Sequence, residues 1–185
     1  MGRLWSLAKM GLAAFCLWGL VFSLVTIARL GVAFDYDDTL VVSAPAFQRG
    51  AASAPPESPA FWSAVNRSYD LERPKLLSCS LAWLFRFLGF RVAILASRPP
   101  IDGEALSKDW RHLAPGRFFF AGQESLERLL RGGHLVLFFG DGDPEIEAAR
   151  KAKIFAVRIR RGAKSPREDY HPGTFGEPVL PFSQY

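Results

Sequence analysis

LGVAFDYDDTLVVS, Leu30 to Ser43, is the stretch from which the rest of the chain can be read. An apolar run (Leu30, Val32, Ala33, Phe34) leads into Asp-Tyr-Asp-Asp-Thr, and apolar residues resume after it. Three carboxylates directly after a buried-strand pattern are costly unless they are paired or hold a metal. An extended chain has a period of two, which puts Asp35 and Asp37 on one side and Tyr36 and Asp38 on the other. Two converging carboxylates suit a hard cation such as Mg²⁺. They also allow a division of labour between a nucleophile and a proton donor. A bare Asp-x-Asp is more often a solvated turn. The apolar strand before it and the hydroxyl of Thr39 after it favour a site.

The chain has 185 residues, 49% of them hydrophobic and 14% aromatic, enough for one domain with a real core. Net charge is +5. The basic residues are spread out, with a local cluster only at Arg158 to Lys164, which reads as a solvated surface. Such an excess mildly favours anionic substrates. No Lys/Arg stripe interleaves with aromatics, so nucleic acid is not an expected partner. Two cysteines, Cys16 and Cys79, leave no disulfide framework and no zinc spacing.

Arg3 and Lys9 precede Met10 to Ala28, nineteen residues without a charge. The basic flank predicts the N-terminus inside and the remainder exported. Residues 1–28 are a signal peptide or an N-terminal anchor touching the membrane through residues 10–28. Retained, the helix runs almost directly into the first strand, with only Arg29 between. Cleavage after Ala28, with Thr26 at minus three, removes that difficulty. Residues 29–185 then form the folded domain.

Ser43 to Pro59, rich in Ala, Ser and Pro, is expected to be a loop. Ser58-Pro59 opens a short helix, Ala60 to Tyr69. Together they form a small loop-plus-helix insert, about 44–73, placed to cover a site. A longer helix starts at Pro74 and is stopped by Gly89. Apolar runs at Arg91–Ala96, Arg117–Ala121, His134–Phe139 and Ile154–Ile159 are further strands. Helices are expected between them, at Gly103–His112, from a Ser125 cap to Arg131, and at Glu145–Lys153. The alternation implies an α/β fold, a three-layer sandwich around a parallel five-stranded, Rossmann-like sheet. Residues 162–185 are a tail that packs over the domain or against another subunit, which would make a homo-oligomer.

In a parallel sheet the C-terminal strand ends share one edge. Asp35 and Asp37, Ser97-Arg98, and Asp141 in GDGDPE therefore meet, although far apart in sequence. This constellation is more specific than Asp-x-Asp alone.

FDYDDTL with a distant GDGDPE resembles the haloacid dehalogenase superfamily of phosphatases. FDYDDTLVVSAPAFQRG, SPAFW, FFGDGDPEIEAAR and GTFGEPVLPFSQY are closer still to the bacterial class B acid phosphatases. The resemblance implies an exported, periplasmic or membrane-anchored enzyme that hydrolyses small organic phosphomonoesters through an aspartyl-phosphate. It implies Asp35 as nucleophile and Asp37 as acid and then base. Mg²⁺ would be held by Asp35, the carbonyl of Asp37, and Asp141, with Glu145 and Asp143 in support. Arg98 matches the family's arginine, and Phe47, Trp62 and Tyr170 match the aromatics of the leaving-group pocket. As plain residues those aromatics are equally ordinary packing.

Two positions depart from the pattern. The family has Thr or Ser at the end of strand two, where Ala96 stands, with Ser97 one residue late. It has a Lys on the helix before strand four, and that position falls on Leu126. Arg128 or Arg131 would substitute if the helix shifted by a turn. These departures leave one alternative, an impaired relative that binds Mg²⁺ and phosphate ligands; a separate alternative is a phosphotransferase, in which an alcohol replaces water in the second step.

Overall fold

A computed structural model describes residues 2–121, 123–163, 165 and 169–185, with no side-chain description for 2–4 and 123–125. The expected Ser125 cap lies outside the described side chains. Helix α1 (Gly2–Ile27) passes through 28–30 into β1 (Gly31–Asp35). Then come β2 (Val41–Val42), α2 (Ala44–Ser53), α3 (Pro59–Arg67), β3 (Arg73–Pro74), α4 (Leu76–Phe87) and β4 (Arg91–Ala96). The chain continues through α5 (Glu104–Asp109), β5 (Phe118–Phe120), α6 (Gln123–Gly132), β6 (Leu135–Gly140), α7 (Asp143–Lys151) and β7 (Phe155–Arg158).

The main sheet is five-stranded in the order β5-β4-β1-β6-β7, with every pairing parallel. All five residues of β1 are buried, as a central parallel strand requires. Val32 and Phe34 face one layer, with Ala82 of α4 and Leu106 of α5. Ala33 faces the other, with Leu126 and Leu130 of α6 and Ile146 and Ala149 of α7. That is the expected three-layer arrangement. The chain first builds outward from β1 through β4 to β5, then crosses back to β6. The crevice at this reversal, beside the end of β1, is where open α/β sheets bind ligands.

Three local readings change. The stretch after Ser43 holds a ten-residue helix, α2, where a loop was expected. Its alanines favour helix, and Gly50 lets it lie close to α3: a Cβ there would stand 2.5 Å from Val65 Cγ2. Pro74 is not helical but pairs with Val41 in the small β2–β3 ladder. Gly89 does end α4, at φ +91°, with Phe90 N donating to Phe85 O and Gly89 N to Arg86 O. This is a Schellman closure.

The tail packs on its own domain. Leu180 N donates to Arg158 O and Arg158 N to Pro178 O, along the outer edge of β7. Helix α1 does the opposite. Trp5–Ile27, 23 residues, is long and apolar enough to cross a bilayer, and almost all of it is exposed. It touches the domain near its end, where Trp18 stacks on Phe87 at 5.1 Å.

Candidate active site

Asp35 is the last residue of β1, in register with Leu95 on β4. Phe34 is paired with Phe139 on β6, so Asp141, two residues after Phe139, comes up beside Asp35. Both carboxyls are 3% exposed, and they are in hydrogen-bond contact. Thr39 Oγ1 donates to Asp141 Oδ1 at 2.8 Å, which ties the first motif to the last. Burial, followed by Asp141, Glu145 and Asp37, pushes Asp35 well above the usual carboxylate range. Burial and Asp141 push Glu145 up to about 7. Glu145 Oε1 lies 3.5 Å from Ser97 Oγ, while Oε2 has no partner.

Asp38, expected to face away, instead lines the same cavity. The chain leaves extended geometry here, with Asp38 at φ +50°, so the period of two no longer holds. Burial and then Asp141 raise Asp38 to about 6. Asp37 also lines the cavity, and its carboxylate is clamped by Arg98, with Nε to Oδ2 at 2.9 Å and Nη2 to Oδ1 at 2.5 Å. Arg98 is fully buried and has a second acid, Glu72, at 2.5 Å. Tyr36 Oη donates to that same Glu72. Such doubly paired guanidinium is rigid and strongly charge-stabilised.

A crowd of buried carboxyls of this kind calls for a cation. Asp35, Asp141 and the carbonyl of Asp37 are hard oxygen donors of the kind Mg²⁺ takes, with water completing its shell. The two raised carboxyls and the orphaned Glu145 Oε2 fit that group. Among the described residues no three acidic, His or Cys side chains form a metal cluster by themselves. A set of two carboxylates and a carbonyl does not need one.

The cavity measures about 500 Å³, and Phe47 and Trp62 wall it from the α2–α3 insert. Their rings pack edge to face at 6.0 Å, and Phe47 also lies over Arg98, so they serve packing and wall alike. Ser97 is part of the lining. Three expectations for the site are corrected. Tyr170 is not in this cavity but in the neighbouring one, its ring 5.3 Å from the Arg161 guanidinium. Arg128 lies at the opposite end of the sheet, in a cavity with Arg91 and His134. Arg131 is a surface residue paired with Glu127. The reason is helix phase. Leu126 and Leu130 point into the core, 3% and 1% exposed, and that phase turns Arg128 and Arg131 away from the site. Asp143 stands behind the site. It pairs with Arg158, whose Nη1 holds the Asp141 carbonyl at 2.7 Å.

Three basic groups around the acids had no local signal. Arg161 Nε binds the Asp141 carboxylate and lines the cavity. Its other arm reaches Asp169 at 2.5 Å. Lys75, 1% exposed, donates to Asp38 O at 2.7 Å and Arg160 O at 2.6 Å, stitching the β1 loop to the β7 loop. Burial lowers it to about 8. Arg158 is wholly buried. Two of the three belong to the basic cluster that composition alone assigns to solvent.

With this geometry in place, similarity to known proteins is decisive. The chain is 33% identical to the class B acid phosphatase of Citrobacter rodentium, covering 84% of this chain and 73% of that one. It is 34% identical to the one from Edwardsiella ictaluri, covering 85% and 73%. The chain belongs to the class B acid phosphatase family. No family model matches it. Among solved structures, CbbY from Rhodobacter sphaeroides in complex with phosphate superposes with a TM-score of 0.59 at 16% identity, covering 82% of this chain and 93% of that one. The fold is that of haloacid dehalogenase-type phosphatases. Leu126 and Ala96, the two positions that depart from the resemblance, are both buried in the core.

Proposed function

We propose that this class B relative is an exported phosphomonoesterase that works through an aspartyl-phosphate on Asp35. The observation that carries the reading is the contact between buried Asp35 and Asp141 at adjacent strand ends, with Arg161 closing over Asp141. An Asp35 oxygen attacks phosphorus, and the bond to the leaving alkoxide breaks. Asp37 gives that oxygen its proton. Asp37 then takes a proton from water, the water oxygen attacks phosphorus, and the bond to Asp35 breaks to release inorganic phosphate. The Arg98 clamp holds Asp37 in position for both proton transfers. Mg²⁺, held by Asp35, the Asp37 carbonyl and Asp141, would neutralise charge between the phosphate and its nucleophile. Arg161 is our candidate for the cation that the family places at the position of Leu126, since it reaches the same cavity from the loop after β7. The wall of Phe47 and Trp62 fits a small organic leaving group.

Export rests on α1. Its length and exposure favour a membrane span that stays attached to the domain, with the active site on the far side from the cytoplasm. The test of activity is hydrolysis of p-nitrophenyl phosphate with Mg²⁺ by wild type and Asp35→Asn. Asp35→Asn should lose on the order of 10³-fold or more. Wild type no faster than the variant would remove the enzyme reading. It would leave the second reading, an impaired relative that binds Mg²⁺ and phosphate, favoured by Leu126. Calorimetry of phosphate binding with and without Mg²⁺ would then measure what remains.

A further inference from the structure

A second charged cavity lies at the opposite edge of the sheet. It measures about 410 Å³ and is lined by Arg91, Arg117, Arg128 and His134, with Gly132 and Gly133 beside them. Among the described residues no carboxylate lines it. Among the described residues, none of the three arginines makes an ion pair or a side-chain hydrogen bond. Burial, and then the neighbouring Arg91, shift Arg117 downward. Like charges gathered without a counter-ion need an anion to offset the repulsion.

What lies beside the cavity selects the anion. Arg91 N donates to Leu30 O, and Gly31 N donates to His134 O, both at 3.0 Å. Leu30 and Gly31 lie three and four residues after the end of α1 at Ile27. The basic cavity therefore opens on the edge where the apolar helix leaves the domain, and Arg29 is exposed at the same place. Its lining also includes Phe119, Leu129 and Leu135. A bare inorganic anion would leave that apolar part unused, whereas the glycerol and first acyl carbons of a lipid would cover it. A Cβ on Gly116 or Gly132 would meet nothing within 4 Å, so the mouth is open.

We propose that Arg91, Arg117, Arg128 and His134 form a binding site for the phosphate group of an anionic phospholipid at the base of α1. The site would fix the domain against the bilayer, with the catalytic edge pointing away. The proposal rests on α1 being retained as a membrane span.

Native mass spectrometry of the full chain in detergent tests it, comparing bound phosphatidylglycerol with phosphatidylcholine of the same acyl chains. Phosphatidylglycerol should be retained about tenfold more, and the triple variant R91Q/R117Q/R128Q should lose that preference. Arg128→Glu changes an exposed side chain only, and alone should remove most of it. Unchanged hydrolysis of p-nitrophenyl phosphate relative to wild type would show that both variants are folded. Equal retention of the two lipids by wild type, or an undiminished preference in both variants, overturns the proposal. Displacement of the lipid by millimolar inorganic phosphate also overturns it, in favour of a soluble-anion site. The intact mass of the membrane fraction reports separately whether residues 1–28 remain. If they do not, sedimentation of the released chain with vesicles of either lipid carries the same comparison.

Discussion

The two ends of the sheet carry opposite charge and treat it differently. At the C-terminal end of the strands, Asp35, Asp37, Asp38, Asp141 and Glu145 share one cavity. Arg98, Arg161 and Lys75 are threaded between them, each fixed by carboxylates or carbonyls. At the N-terminal end, Arg91, Arg117 and Arg128 stand together with no acid among them. Both choices follow the helix dipoles, because helices that return antiparallel to the strands present positive ends above and negative ends below. The difference lies in how far the chain supplies its own counter-charges. The acidic end supplies fixed partners for part of its charge, at Arg98, Arg161 and Lys75. The basic end, among the described residues, supplies none.

That comparison predicts unequal responses to the removal of one arginine. Arg98→Ala leaves Glu72 and Asp37 without their shared guanidinium, and Glu72 is 8% exposed. Breaking a buried pair from one side costs about 3–5 kcal/mol, read from urea unfolding. Arg117→Gln at the other end breaks no pair, relieves the repulsion from Arg91, and should change stability by under about 0.5 kcal/mol. Equal losses from the two would mean that the network around Glu72 is not closed as described.

Activity should divide in the same way. Arg161→Ala removes a cation from the acidic cavity and should lower kcat by about 10²–10³-fold, with Arg161→Lys recovering part of it. Inhibition by inorganic phosphate should weaken in parallel. Arg128→Ala, at the far end, should leave kcat unchanged. If the loss followed Arg128 and not Arg161, the cation would have to come from α6, which would require Leu126 to leave the core.

How much of this could be read from the chain depends on how local each cause is. The strands were legible because buried parallel strands are continuous apolar runs, and β4 was read to the residue. Asp35 and Asp141 were legible because strand ends share an edge whatever their separation in sequence. Helix α2 was not, because its Pro and Ser residues read as loop signals, while its alanines and the close fit of Gly50 against Val65 favour a helix. Arg128 was misplaced because reach depends on helix phase, which the burial of Leu126 and Leu130 fixes only in three dimensions. Glu72 and Lys75 are buried charges, and Lys75 finds the Arg160 carbonyl 85 residues away, which no spacing rule indicates. Arg158 and Arg161 looked like a solvated run, yet Arg158 is fully buried.

Binding of a divalent cation at the acidic end gives the last prediction, and it has a definite sign in pH. Without metal, Glu145 holds its proton to about pH 7 in the folded chain, against an ordinary value of 4.5. Asp35 is shifted the same way. Between those limits the folded state binds more protons than the unfolded one, so stability falls as pH rises. Glu145 alone contributes a loss of up to about 3 kcal/mol across that window. Mg²⁺ neutralises the same carboxyls only when they are ionised, so it should stabilise little near pH 4.5 and most near pH 7. Thermal unfolding in EDTA and in Mg²⁺ at several pH values measures the gap. A gap that is flat in pH would mean that ionisation of these carboxyls is not what the cation offsets, and the acidic end would then be as self-contained as its arginines make it look.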